Sequence, residues 1–194
     1  MSTSYSSQRK LLDLAYIAVF AALIIVFAFV SIPAGNAGVP IVMQNAVIVL
    51  AGLILGARRG FLATALFLTL GLIGLPVLAG GRSVLAALPG PTVGYLVGYL
   101  VSVLVAGVVA YNAPKQPKPL AFVSSLVAAL LALVTQYAFG TLGLMLRAGM
   151  DFNKALLVNV PFIGPDVIKM VVAVFIAIGV HAAFPDLRTS SKMK

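Results

Sequence analysis

Cysteine is absent from this chain of 194 residues, histidine occurs once, and acidic residues number four. The lack of cysteine excludes disulfides, thiolate metal sites and a cysteine nucleophile, and says nothing about compartment. The few acids and the single histidine form neither an acidic metal cluster nor an H-E-x-x-H zinc helix. Also missing are the G-x-S-x-G nucleophile turn and the phosphate-cradling G-x-x-x-x-G-K-[ST] loop, so ATP hydrolysis by the usual loop is excluded. The lone histidine, His181, falls at the end of the last apolar segment, where it reads as a helix-terminus cation and not a catalyst. The chain is therefore not read as an enzyme, and no metal or cofactor is expected.

Charge of either sign is scarce. Only 9% of residues are charged, 62% are hydrophobic, and the mean hydropathy is +1.15. No water-soluble core-and-surface protein sustains that composition. The chain reads as an all-α integral membrane protein. Thirteen Lys and Arg against four acids give a net charge of +9, but the cations sit in the gaps between apolar segments. That is the pattern of membrane topology, and no nucleic-acid partner is implied. The first apolar run, Leu14 to Val30, is too long for a signal-peptide core and is expected to remain as a membrane helix.

Six segments come close to the length that crosses about 30 Å of hydrocarbon at ~1.5 Å per residue. They lie at about 11–31, 41–56, 61–78, 92–111, 120–146 and 162–184, within a single membrane domain spanning 1–194. The breaks between them are the Gly35-Asn36-Ala37-Gly38 turn, Ala57-Arg58-Arg59-Gly60, a glycine-rich connection through Gly80, Gly81 and Arg82, a triple-proline loop from Pro114 to Pro119, and a charged turn from Arg147 to Lys154. With the N-terminus inside, Arg9, Lys10, Arg58, Arg59, Lys115, Lys118, Arg188, Lys192 and Lys194 face the cytoplasm, and Arg82, Arg147 and Lys154 face out. Both termini are thus expected in the cytoplasm. Gly94 and Gly98 form a small-xxx-small face for close helix approach, and Ala15, Ala18 and Ala22 form a small-residue stripe. That stripe serves packing inside the bundle or docking to another chain.

Asp166 and Lys169 interrupt the last apolar segment three residues apart, on one helical face. Gly164-Pro165-Asp166 reads as a helix start. Burying each charge costs on the order of 2.5–3.5 kcal/mol on insertion scales, so the pair marks either a functional site or a self-neutralising lock on helix packing. Gln44 and Asn45, at the outer end of the second segment, offer amides that donate and accept, with an ordinary interfacial residue as the alternative for Gln44. Arg82 can hold a carboxylate in two-pronged fashion, or is a solvated loop residue. Tyr95 and Phe162 supply flat walls, as many interfacial aromatics do. A carboxylate, an ammonium, a guanidinium and an amide at one external face fit a small acid with hydrogen-bonding edges better than an ion.

The runs Pro40-Ile41-Val42-Met43-Gln44-Asn45, Leu75-Pro76-Val77-Leu78-Ala79-Gly80-Gly81, Gly90-Pro91-Thr92-Val93-Gly94-Tyr95-Leu96 and Asp166-Val167-Ile168-Lys169 resemble the BioY family, the biotin-binding S components of energy-coupling factor (ECF) transporters. The similarity extends from the first loop to the last segment. It implies a bundle of six transmembrane helices and high-affinity biotin binding in an outward-facing pocket. It also implies partners, namely a transmembrane coupling subunit and two cytoplasmic ATPases in a prokaryotic plasma membrane. Carried over by motif, Asp166 and Lys169 contact the ligand's polar groups, Arg82 with Gln44 completes the pocket, and Ala15, Ala18 and Ala22 match the docking face; Tyr95 joins the expected ligand-binding set as a flat wall, on its own chemistry. Two departures add side-chain volume near the site. Val93 stands where the family usually has glycine, and Ser83-Val84-Leu85 replaces a glycine-rich segment. The competing readings are an S component for another vitamin, a lipid-modifying membrane enzyme, and a structural adaptor.

Overall fold

The computed structural model describes residues 2–32, 41–114, 116, 118–185 and 187. The turn at Gly35–Gly38 and the cations Lys115, Arg188, Lys192 and Lys194 lie outside them. The described chain is almost wholly helical: α1 (Ser2–Ala28), α2 (Gln44–Leu72), α3 (Val84–Ala87), α4 (Val93–Asn112), α5 (Lys118–Ala148), α6 (Phe152–Leu157) and α7 (Val160–Ala183). A two-residue antiparallel ladder, β1 (Ser31–Ile32) with β2 (Ile41–Val42), links α1 to α2. Five of the helices are long and apolar enough to cross a membrane. The chain is an all-helical integral membrane protein.

The second and third expected segments share α2, which is not one straight rod. Gly56, at φ 80 and ψ 177, breaks it into arms covering residues 44–55 and 57–72. A Cβ built on Gly60 would stand 3.1 Å from the carbonyl oxygen of Ala51. Nine residues along an unbroken helix would span roughly 13 Å, so the chain turns back on itself at Gly56. The positive φ there is one that only glycine adopts readily. The turn is thus narrower than a loop over 57–60, and the second arm ends at Leu72, where Gly74 (φ 100) and Pro76 lead into an irregular segment.

Close approach is bought mostly with small residues, since helices in lipid associate by packing and hydrogen bonding. A Cβ on Gly94 would lie 2.1 Å from the carbonyl oxygen of Phe139 and 2.8 Å from the Gly143 backbone, so the Gly94 and Gly98 face packs against α5. At the far end of α4, a Cβ on Gly107 would lie 2.2 Å from the backbone nitrogen of Ala57, so α4 crosses directly over the α2 turn. One buried cluster is rich in alanine, with Ala106, Ala110, Ala128, Ala129, Ala132, Ala173 and Ala177 around Leu53 and Met170. A second joins Ala21 and Ile24 of α1 to Ile48, Phe67, Val77, Val84 and Val103.

Two short helices escape the sequence reading. Ser83 caps α3, its hydroxyl accepting from the Ala86 amide, and Asp151 caps α6, accepting from the Asn153 and Lys154 amides. Val84 is 3% exposed and packs on Gly71, so its side-chain volume fills a protein contact, whereas Leu85 is exposed.

Candidate functional site

The last helix begins earlier than the sequence indicates. Pro161, not Pro165, occupies its first turn, and Pro165 lies inside it. Proline lacks the amide that would bond back to residue 161, which loosens the helix one turn before the charged pair. Asp166 and Lys169 then project from one face into the bundle, at 4% and 7% exposure. Their side chains form a buried ion pair across one helical turn.

Each charged group has further partners drawn from other helices. The Lys169 Nζ donates to the Val42 carbonyl (2.8 Å) and to Asn45 Oδ1 (2.9 Å), which anchors α7 to the start of α2. With Asp166 these account for all three protons of the ammonium. Asp166 Oδ2 accepts from the Tyr137 hydroxyl of α5 at 2.6 Å. A carboxylate has about four lone-pair positions, and Lys169 and Tyr137 take two of them. The lysine is therefore saturated by protein groups, whereas the aspartate keeps room for two donors.

The other expected residues are placed differently. Gln44 is 2% exposed, and its Nε2 donates to the Ile24 carbonyl (3.2 Å) and the Val77 carbonyl (2.8 Å). It thereby ties α1 and the segment after α2 to the end of the bundle that holds the pair. Its Oε1 accepts from no described residue. Tyr95 lies flat over Gly140 and donates to Asn159 Oδ1 at 2.6 Å. Arg82 follows a tight turn in which Gly80 and Gly81 both take positive φ and the Leu78 amide bonds to the Arg82 carbonyl at 2.9 Å. Its side chain is exposed, and its guanidinium has no partner among the described residues. Ala15, Ala18 and Ala22 are exposed on the outer face of α1, opposite buried Ala21, Ile24 and Ala28. Phe162 is half-buried near the start of α7.

Sequence reasoning missed three polar groups at this site. Tyr137 and Gln136 are adjacent in mid-α5, and Gln136 Nε2 donates to Ser102 Oγ (3.1 Å) and to the Asn45 carbonyl (3.4 Å). Asn159 Nδ2 donates to Thr141 Oγ1 (3.0 Å), so Asn159 joins α4 to α5 through Tyr95 and Thr141. A glutamine at membrane depth was the available signal for this polar layer.

A second polar cluster closes the opposite end. Arg59, 6% exposed, pairs with Asp13 of α1 at 2.6 Å and donates to the Leu187 carbonyl at 3.4 Å. The Tyr111 hydroxyl and His181 Nε2 both meet the Ile54 carbonyl, the latter at 3.1 Å, and their rings pack edge to face. His181 thus ties α7 to the α2 turn.

The BioY family profile matches residues 1–186. A Rhizobium etli protein named "Biotin transporter BioY" is 40% identical over 179 residues, covering 90% of this chain and 96% of the relative. A protein of the same name from Thermotoga maritima is 38% identical over 161 residues, covering 82% and 90%. Among solved structures, the S-component for biotin from an ECF-type ABC transporter superposes with a TM-score of 0.78 at 31% identity, covering 88% of this chain and 90% of that one. By sequence and by fold, the chain belongs to the BioY family.

Proposed function

We propose that this chain binds biotin with high affinity and serves its uptake as the substrate-binding membrane subunit of an ECF-type transporter. The observation that carries this reading is the buried Asp166–Lys169 pair, whose aspartate retains open acceptor positions, in a chain of the BioY family. Biotin offers two ureido N–H donors, a ureido carbonyl, an apolar sulfur ring and a carboxylate. Asp166 accepts the ureido N–H groups, and Lys169 meets the carbonyl or the carboxylate by exchanging one of its protein acceptors. Arg82, exposed and unengaged among the described residues, takes the carboxylate at the mouth, Tyr95 forms a wall, and Gln44 contributes its Oε1, which accepts from no described residue. The two arms of α2 make six crossings with the other four long helices, in one membrane domain. Both termini lie in the cytoplasm and the Asp166 end outside, a reading that the excess of Lys and Arg in the inner gaps supports, and the membrane is a prokaryotic plasma membrane. The exposed alanine stripe of α1 docks on a transmembrane coupling subunit, and two cytoplasmic ATPases supply the energy.

Titration of biotin into the purified, detergent-solubilised protein, with riboflavin and thiamine in parallel, tests the reading. It predicts tight one-to-one binding of biotin alone. A folded, monodisperse protein that ignores biotin and binds another vitamin overturns it.

A further inference from the structure

A carboxylate that recognises a pair of donors must present its oxygens in a fixed plane. The terminal torsion of aspartate is broad, so the side chain does not set that plane by itself. Lys169 holds only Oδ1, from the same helix one turn away. The second oxygen is held from α5, where the half-buried Tyr137 donates to Oδ2 at 2.6 Å. Two anchors on two helices leave the carboxylate no freedom to turn, and they leave two lone-pair positions facing neither anchor. Tyr137 donates its only proton in that bond, so it has none to give a ligand acceptor. Removing the hydroxyl would free the carboxylate to swing about the lysine contact without unpairing any charge.

We propose that Tyr137 is a positioning residue for biotin recognition, fixing the Asp166 carboxylate in the orientation that accepts the ureido N–H groups. The inference rests on the assignment of Asp166 to the biotin site. Its specific content is that the contribution of Tyr137 to affinity passes through Asp166.

The test is a double-mutant cycle read by biotin titration, using wild type, Tyr137→Phe, Asp166→Asn, and both together. The loss of one hydrogen bond to a charged group predicts about tenfold weaker binding in Tyr137→Phe. In the Asp166→Asn background the same change is expected to alter affinity less than twofold. If Asp166→Asn does not fold, the charge-neutral Asp166→Asn with Lys169→Met serves only to assign the Asp166 carboxylate infrared band, and the shift of that band in Tyr137→Phe, together with its loss of affinity, decides the proposal. An infrared carboxylate band that is lost in Asp166→Asn should shift in Tyr137→Phe before ligand is added. Equal losses in both backgrounds, or no loss in either, overturn the role of Tyr137. If Asp166→Asn binds biotin as wild type does, the site assignment itself falls, a result distinguishable from failure of the Tyr137 link alone.

Discussion

The two ends of α7 hold polar clusters of similar make-up and opposite character. Asp166 and His181 are separated by ~22 Å at 1.5 Å per residue. At the His181 end, every named group acts on backbone or on a partner side chain that stitches elements together: Arg59 on Asp13 and the Leu187 carbonyl, Tyr111 and His181 on the Ile54 carbonyl. These bonds fasten the α2 turn, where Gly56 and Gly107 leave room for little else. At the Asp166 end, cations and acceptors do not balance so neatly. Lys169 is saturated, Asp166 is half-used, Gln44 Oε1 accepts from no described residue, and Arg82 is unengaged among the described residues. A cluster whose valences close on themselves builds structure, and one that keeps valences open can take a ligand.

That contrast can be broken by substitution. Lys169→Ala strikes the open cluster hardest, because it removes the proposed ligand partner and strands Asp166. Breaking a buried pair one-sidedly costs about 3–5 kcal/mol, so thermal stability should fall together with at least a ~100-fold loss of biotin affinity. Asp13→Asn in the closed cluster should act on stability alone. Arg59 keeps the Leu187 carbonyl, so the loss should be about 1–2 kcal/mol, read as a lowered melting temperature with unchanged biotin affinity. A change in affinity there would mean that the two ends are coupled. Arg82→Gln should give the smallest effect, since exposed ion pairs contribute at most about 1 kcal/mol. A roughly threefold weaker biotin Kd is expected, with no change for biotin methyl ester, which lacks the carboxylate charge. An equal loss for the ester would remove Arg82 from carboxylate recognition.

Much of the architecture was legible because apolar length and proline or glycine punctuation are local signals. The long helices are of that kind, and so is the small face at Gly94 and Gly98, although its partner on α5 was not readable. The α2 turn was misplaced by a few residues because a single glycine accomplishes it, and the flanking Arg58-Arg59 drew attention to the charges instead. Pro165 looked like a helix start because the sequence does not show that Pro161 already fills that role. At the site, the Asp166–Lys169 pair could be read from its spacing within one helix. Tyr137 and Asn159 could not, nor could the bond by which Asn45, already visible as a polar amide, holds Lys169, because each acts across more than ten residues of sequence through side chains whose meeting depends on the packing of α2, α4, α5 and α7. Gln44 was visible as polar, but its use as a tie between Ile24 and Val77 is purely a matter of tertiary placement.

The most direct test of the contrast is the charge-neutral variant Asp166→Asn with Lys169→Met, assayed for both biotin affinity and melting temperature. Replacing a buried ion pair by neutral side chains of similar volume is often neutral or stabilising by about 1–4 kcal/mol. The open cluster is therefore predicted to lose biotin binding while the bundle keeps or raises its melting temperature. Retained biotin affinity, or a collapse of the fold, would show instead that the pair exists to hold the helices together.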